Sequence, residues 1–191
     1  MTQDLLETIE DGVATLTMNR PSARNAFTRE MVSDMLEALP RLAADKSVRV
    51  VVLTGAEGAF SAGGDVKSFA KNAAGEDEGG YDFNIKVDEL RERMEVSRLL
   101  HEMPKPTLAV IPGPAAGAGM SLALACDMRI ALDTAKMTTA FSKVALSGDF
   151  GGSYFLTNLV GAAKARELYF TAKVLTGAEA LELGIVNRVA S

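Results

Sequence analysis

Twenty consecutive residues without a charge, Thr107-Leu-Ala-Val-Ile-Pro-Gly-Pro-Ala-Ala-Gly-Ala-Gly-Met-Ser-Leu-Ala-Leu-Ala-Cys126, set the strongest limit on what this chain can become. Their number matches the roughly 20 apolar residues of a membrane span. Pro112, Gly113, Pro114, Gly117 and Gly119 break the run in its middle, however, and neither half is long enough to cross a bilayer. The reading that remains is a buried strand over Thr107–Ile111, a glycine-rich turn, and a buried helix from about Gly117 to Cys126. That turn is the first candidate site.

Composition enters as a set of exclusions. Charged residues make up 24% of the 191 and are spread along the chain, as in a globular protein read as one domain over residues 1–191. At that length roughly 70% of the unfolded surface can be buried, so the core needs no covalent staple. The single cysteine, Cys126, rules out an internal disulfide and a Cys-rich zinc site, and it fits a reducing, cytoplasmic setting. A net charge of -5 with no basic block argues against nucleic acid as a partner. The N-terminus has no basic n-region and no long apolar h-region, so no signal peptide is expected and no membrane partner either.

In chain order, Leu5–Glu10 and Val13–Asn19 read as strands joined by an Asp11-Gly12 hairpin turn. Thr28 reads as the N-cap of a helix carrying Met31, Met35, Leu36, Leu39 and Leu42, which Pro40 is expected to kink or shorten. Val48–Thr54 reads as a strand buried on both faces. A short helix is expected from Asp65, itself a candidate N-cap, then a surface loop over Asn72–Gly80 and a long amphipathic helix over Asp82–Met103. Met128–Leu132 reads as a strand and Lys136–Thr139 as a second candidate. Ala140–Gly152 reads as a loop with one carboxylate, Asp149, between glycines. Helices near Gly152–Leu159, Ala162–Thr171 and Ala178–Leu183, and a strand over Ile185–Val189, complete the chain.

One unit recurs: a buried strand, a loop of small residues, and a helix start, at Val48–Lys71 and again at Thr107–Cys126. Small residues leave amide N–H groups uncovered at a helix entrance, where they bind developing negative charge, and two such donors aimed at one point make an oxyanion hole. Close helix packing around glycine explains either loop taken singly equally well. Other motifs fall short. Gly117-Ala-Gly119 lacks the third glycine of a dinucleotide fingerprint, and no Gly-Lys-Ser/Thr follows either loop. Gly119-Met-Ser-Leu-Ala123 has alanine where a nucleophile elbow ends in glycine, and the sole histidine, His101, lies on an amphipathic helix. No metal-ligand cluster is present in the sequence, so no metal is expected.

Asn19-Arg-Pro-Ser-Ala-Arg-Asn-Ala-Phe27, Ala59-Phe-Ser-Ala-Gly-Gly-Asp-Val66, Pro104-Lys-Pro-Thr-Leu-Ala-Val-Ile-Pro-Gly113, Gly117–Asp127 and Leu175–Asn187 together resemble the crotonase, or enoyl-CoA hydratase/isomerase, superfamily. The resemblance covers nearly the whole chain. It implies an α/β fold, a spiral of ββα units, acyl-CoA thioester substrates with no separate cofactor, and assembly into homotrimers or dimers of trimers where the family's C-terminal helices are present. The sequence stops at Ser191, short of those helices, so a missing or truncated C-terminal helical region is expected. By the same resemblance, the oxyanion amides fall on Ala62 and Ala118. Coenzyme A is expected along Ser22, Ala23, Arg24 and Ala26 and the turn Gly63, Gly64, Asp65 and Val66. Arg24 reads equally as a solvated loop charge.

Hydratases of the superfamily use two glutamates, and the matching positions here are Ser121 and Phe141. Asp149, in Leu-Ser-Gly-Asp-Phe-Gly-Gly, resembles the single acid/base carboxylate of isomerase-type members. One carboxylate suits a proton shift along an acyl chain. The resulting expectation is an enoyl-CoA isomerase-type enzyme. Enoyl-CoA hydratase, aryl-CoA dehalogenase and a non-catalytic acyl-CoA-binding module stand as alternatives, and Asp149 as a plain turn residue is the structural one.

Overall fold

Asp11 and Gly12 take φ of 50° and 81°, the left-handed pair that a two-residue hairpin needs to match the twist of its strands. They join β1 (Leu5–Glu10) to β2 (Val13–Met18), antiparallel from Glu10 opposite Val13 to Leu5 opposite Met18. Ala14, Leu16 and Met18 point into the core, so the alternation seen in the sequence fixes which face of β2 is buried. The computed structural model describes residues 2–64 and 82–191. The helix expected from Asp65 and the loop over Asn72–Gly80 lie outside the described residues.

The main sheet has six strands in the order β1-β2-β3-β4-β6-β9, parallel after the first pair. Its remaining members are β3 (Val50–Gly55), β4 (Thr107–Ile111), β6 (Met128–Leu132) and β9 (Arg188–Ala190). A smaller sheet orders β5 (Ala115–Ala116), β7 (Lys136–Thr138) and β8 (Leu175–Thr176). The first four strands all enter the main sheet; from β4 onward the chain passes back and forth between the two sheets, with helices threaded between strands. Among the described residues these are α1 (Arg29–Ala44), α2 (Phe83–His101), α3 (Ala118–Ala125), α4 (Gly152–Thr171) and α5 (Gly177–Glu182).

Local chemistry sets the helix ends. The Thr28 hydroxyl accepts from the Met31 amide at 3.0 Å, Asp82 accepts from Asn84 and Ile85, and Thr176 with Glu179 forms a complete capping box. α3 is buried along every residue, which explains its lack of any polar face. It is the helix predicted from the charge-free stretch. The two helices expected on either side of Val160-Gly161 exist as two arms of α4, because Gly161 breaks the helical path with φ 76° and ψ 160°.

Three expectations need correction. Pro40 does not shorten α1, which runs on to Ala44; Pro40 itself faces solvent between buried Leu39 and Leu42, where its lost N–H is least costly. β3 is not buried on both faces, since Val51 and Leu53 are buried while Val50, Val52 and Thr54 are half-buried. The final strand starts at Arg188 and not at Ile185. The Ile185 amide turns back to the Ala180 carbonyl at 2.8 Å to close α5, and buried Arg129 bonds the Ile185 carbonyl at 2.7 Å and the Cys126 carbonyl at 2.6 Å.

Candidate active site

Three segments far apart in sequence are laced side by side. The Phe60 and Ser61 amides donate to the Pro114 carbonyl, and Ala116 donates back to Ser61 at 2.9 Å. On its other flank the same segment meets residues 24–27, with the Ala62 amide on the Arg24 carbonyl at 2.9 Å and the Phe27 amide on the Gly63 carbonyl at 2.8 Å. Asn25 is the pin of this arrangement. Fully buried with φ 56°, it accepts from the Arg20 amide and donates to the carbonyls of Ala56 and Ala59 at 3.0 and 2.8 Å. Its own carbonyl accepts from Ser61 Oγ, which in turn accepts from the Gly63 amide at 3.0 Å.

The result is a tight junction between the loop after β3 and the start of α3. A Cβ placed on Gly119 would lie 2.5 Å from the Ser61 carbonyl oxygen, so only glycine permits this approach. A Cβ on Gly63, whose φ is 82°, would stand 2.9 Å from the Ala118 nitrogen. Ala118 is the first residue of α3, so its amide has no acceptor within the helix. It also sits at the positive end of the helix, suited to a developing oxyanion.

The partner amide is not the one expected. Ala62 spends its N–H on the Arg24 carbonyl and cannot aim it at a substrate. The residue placed to replace it is Gly64. In its parallel bridge with Phe27, the Gly63 carbonyl takes the Phe27 amide, which leaves the N–H of Gly64 facing away from Phe27. Gly64 follows Gly63, which packs directly against the start of α3.

Asp149 stands beyond this junction, in a turn where Gly148, Phe150 and Gly151 all have positive φ, at the entrance of α4. Its Oδ1 is buried without a hydrogen-bond partner among the described residues. Burial pushes the carboxyl up to about 6, offset only in part by its own backbone N–H. Ser121 is buried on α3 with its hydroxyl on the Gly117 carbonyl at 3.2 Å, and Phe141 is buried on a one-turn 3₁₀ helix, Phe141–Val144. The Phe141 ring reaches to 3.7 Å from a Cβ placed on Gly117. Phe150 meets Phe27 with ring centroids 5.6 Å apart, which ties the Asp149 turn to the 24–27 wall.

The structure therefore brings Ala118, Gly63, Gly64, Ser121, Phe141 and Asp149 into one region around the start of α3. Ser22 and Arg24 are exposed on the 3₁₀ turn Pro21–Ala23 and just after it, Ala23 is half-buried and Ala26 is buried. Asp65 and Val66 lie outside the described residues. Sequence reasoning missed Asn25 and Gly119, and it passed over Tyr169, whose ring stacks on Phe141 with centroids 6.1 Å apart. Asparagine in the left-handed region was the available signal for Asn25; nothing local marked Tyr169. Among the described residues no group of three His, Cys, Asp or Glu side chains is placed to hold a metal, and no helix is long and apolar enough to cross a membrane.

Residues 8–191 match the family described as enoyl-CoA hydratase/isomerase. Among curated relatives, 4-chlorobenzoyl coenzyme A dehalogenase-2 of Arthrobacter sp is 39% identical over 181 residues, covering 95% of this chain and 64% of that protein. Enoyl-CoA hydratase domain-containing protein 2, mitochondrial, of Bos taurus is 40% identical over 177 residues, covering 92% of this chain and 57% of that protein. The chain thus spans less than two thirds of the length of these relatives. In solved structures, an enoyl-CoA hydratase from Polaromonas sp. JS666 superposes with a TM-score of 0.89 at 33% identity, over 98% of this chain and 70% of that one.

Proposed function

The chain belongs to the enoyl-CoA hydratase/isomerase family, and from that premise we propose that it acts on acyl-CoA thioesters as an isomerase-type enzyme, with Asp149 moving one proton along the acyl chain. The observation that carries this reading is a single carboxyl, half-buried, with one oxygen unpartnered and its affinity for a proton raised to the neighbourhood of pH 6. Such a group takes and returns a proton near neutrality with little driving force lost in either direction. Ionised, it removes a proton activated by the thioester and the adjacent double bond. The electron pair passes into the thioester oxygen, which the Ala118 and Gly64 amides hold as an enolate, and the carboxylic acid then returns the proton to the other end of the conjugated system. Among the described residues Ser121 and Phe141 flank it with no second carboxylate, which disfavours the holding of a hydrating water. Coenzyme A is placed along Ser22, Ala23, Arg24 and Ala26, and assembly as a trimer belongs to the same proposal.

The test is conversion of a 3-enoyl-CoA to its 2-enoyl isomer by the full-length protein and by Asp149→Asn. Loss of ~10²–10⁴ in turnover is expected for removal of the acid/base group; turnover retained in the Asn variant would reject the shuttle. Hydration of a 2-enoyl-CoA, run beside it, separates the hydratase reading. A second reading is favoured by the two dehalogenases among the relatives, each 39% identical. There the Asp149 carboxylate would attack the ring carbon bearing the halogen, expel halide, and be regenerated when water hydrolyses the aryl ester. Halide release from a halobenzoyl-CoA, with an ester found on Asp149 by mass spectrometry, would establish that reading over the isomerase.

A further inference from the structure

Tyr169, on the far arm of α4, touches both sides of the Asp149 turn. Its Cε1 lies 3.0 Å from a Cβ placed on Gly148, and its hydroxyl lies 2.6 Å from a Cβ placed on Gly152. These two glycines bracket Gly148-Asp149-Phe150-Gly151-Gly152, in which Gly148 and Gly151 take positive φ freely and Phe150, at φ 51°, is the residue whose backbone needs outside support. The Tyr169 ring stacks on Phe141 with centroids 6.1 Å apart and planes 7° from parallel. Its hydroxyl faces Ser121, whose Oγ lies 2.2 Å from the same Cβ placed on Gly152. One side chain thus joins α3, the Phe141 turn and the Asp149 turn.

We propose that Tyr169 is a positioning residue for Asp149: its ring and its hydroxyl, set against Ser121, clamp the Gly148–Gly152 turn so that the carboxyl is held in its half-buried, reactive position. The proposal rests on the reading of Asp149 as the acid/base group, which it extends to a residue outside the recognisable motifs. Among the described residues this corner is faced by Ser121, Phe141 and Tyr169, by Phe155 against Gly151 and by Phe27 against Phe150, with the His101 ring behind Phe155 at 5.1 Å between centroids. Burial and the nearby Asp149 push the Tyr169 phenol up to about 12, so it stays neutral throughout the working range and acts by contact and hydrogen bonding, not by charge.

The experiment is a carbon-13 titration of the Asp149 carboxyl in the full-length protein, for wild type, Tyr169→Phe, Tyr169→Leu and Ser121→Ala. A released turn lets water reach the carboxyl, so its midpoint is expected to fall from about 6 toward the ordinary 3.8. The fall should be about half a pH unit in Tyr169→Phe and larger in Tyr169→Leu, with kcat down ~10-fold or more and KM within about twofold. Tyr169→Phe keeps the ring and the stack on Phe141, so it remains informative if Tyr169→Leu does not fold. A midpoint unmoved in both Tyr169→Phe and Ser121→Ala overturns the proposal whatever turnover does. The titration needs no substrate: a shifted midpoint in a protein that performs no isomerisation would sink the isomerase reading and leave the role of Tyr169 standing.

Discussion

Replacing the proposed acid/base group should make the protein more stable, and only above a definite pH. Asp149 titrates at about 6 when folded and near 3.8 when exposed. Below pH ~4 the carboxyl is protonated in both states and contributes nothing to the difference. Between ~4 and ~6 the unfolded chain gives up this proton first, so it binds fewer protons than the folded chain and stability falls as pH rises. Above ~6 both states are ionised and the cost is complete. At about 1.36 kcal/mol per pH unit the gap amounts to about 3 kcal/mol, which partial access to water reduces to about 1–2 kcal/mol. Asp149→Asn cannot ionise and escapes this cost. Paired denaturant titrations of wild type and Asp149→Asn at pH 4 and pH 7.5 should show the variant gaining about 1–2 kcal/mol relative to wild type between the two, a rise in Tm of roughly 2–8 °C at this chain length. Taking the difference between the two proteins cancels the other carboxylates and any fixed cost of the amide. A difference independent of pH, or one that moves against the variant as pH rises, would refute the assignment of a half-buried carboxylate whose pKa is raised by desolvation to this position.

The same ionisation should govern rate: kcat/KM for isomerisation is expected to fall below pH ~6 along a single-proton limb, because the base must be ionised in the free enzyme, and a flat profile from pH 5 to 8 would contradict it. Gly119→Ala puts a Cβ 2.5 Å from the Ser61 carbonyl oxygen and 2.8 Å from Ser61 Cβ, so the two units must part; a loss of about 1–3 kcal/mol is expected in chemical denaturation, and a change below about 0.5 kcal/mol would mean the junction yields freely. Asn25→Ala leaves the Ala56 and Ala59 carbonyls and the Arg20 amide without their partner and should cost about 2–4 kcal/mol, with turnover falling as the Ser61–Gly64 segment loosens. Turnover undiminished in a folded Asn25→Ala protein would show that this pin does not shape the site.

Much of the frame follows from local rules that the sequence states openly. The hairpin at Asp11-Gly12, the cap at Thr28, and the strand-turn-helix of Thr107–Cys126 each depend on residues within a few positions of one another, and each forms where expected. The break at Gly161 follows from the same logic, as only glycine adopts φ 76° with ψ 160° at little cost. Candidate chemistry was legible to the extent that it rested on residue type: a lone carboxylate at Asp149, and small residues at a helix start.

What tertiary structure alone decided is which way groups face and whether they are already engaged. Ala62 carries a backbone amide like any other, and only the approach of Arg24 from nearly forty residues earlier removes it from the site and leaves Gly64. Asn25 is an unremarkable polar residue until Ala56, Ala59 and Ser61 are folded onto it. Tyr169 lies twenty residues beyond Asp149 on an amphipathic arm, and it enters the site because α4 folds back over α3 and the Phe141 turn. Secondary structure is written in short-range periodicity and capping. The readiness of the charge-free turn at Gly117-Ala118 to accept negative charge depends on burial and hydrogen-bond occupancy, which are set only when the loop after β3 closes on the start of α3.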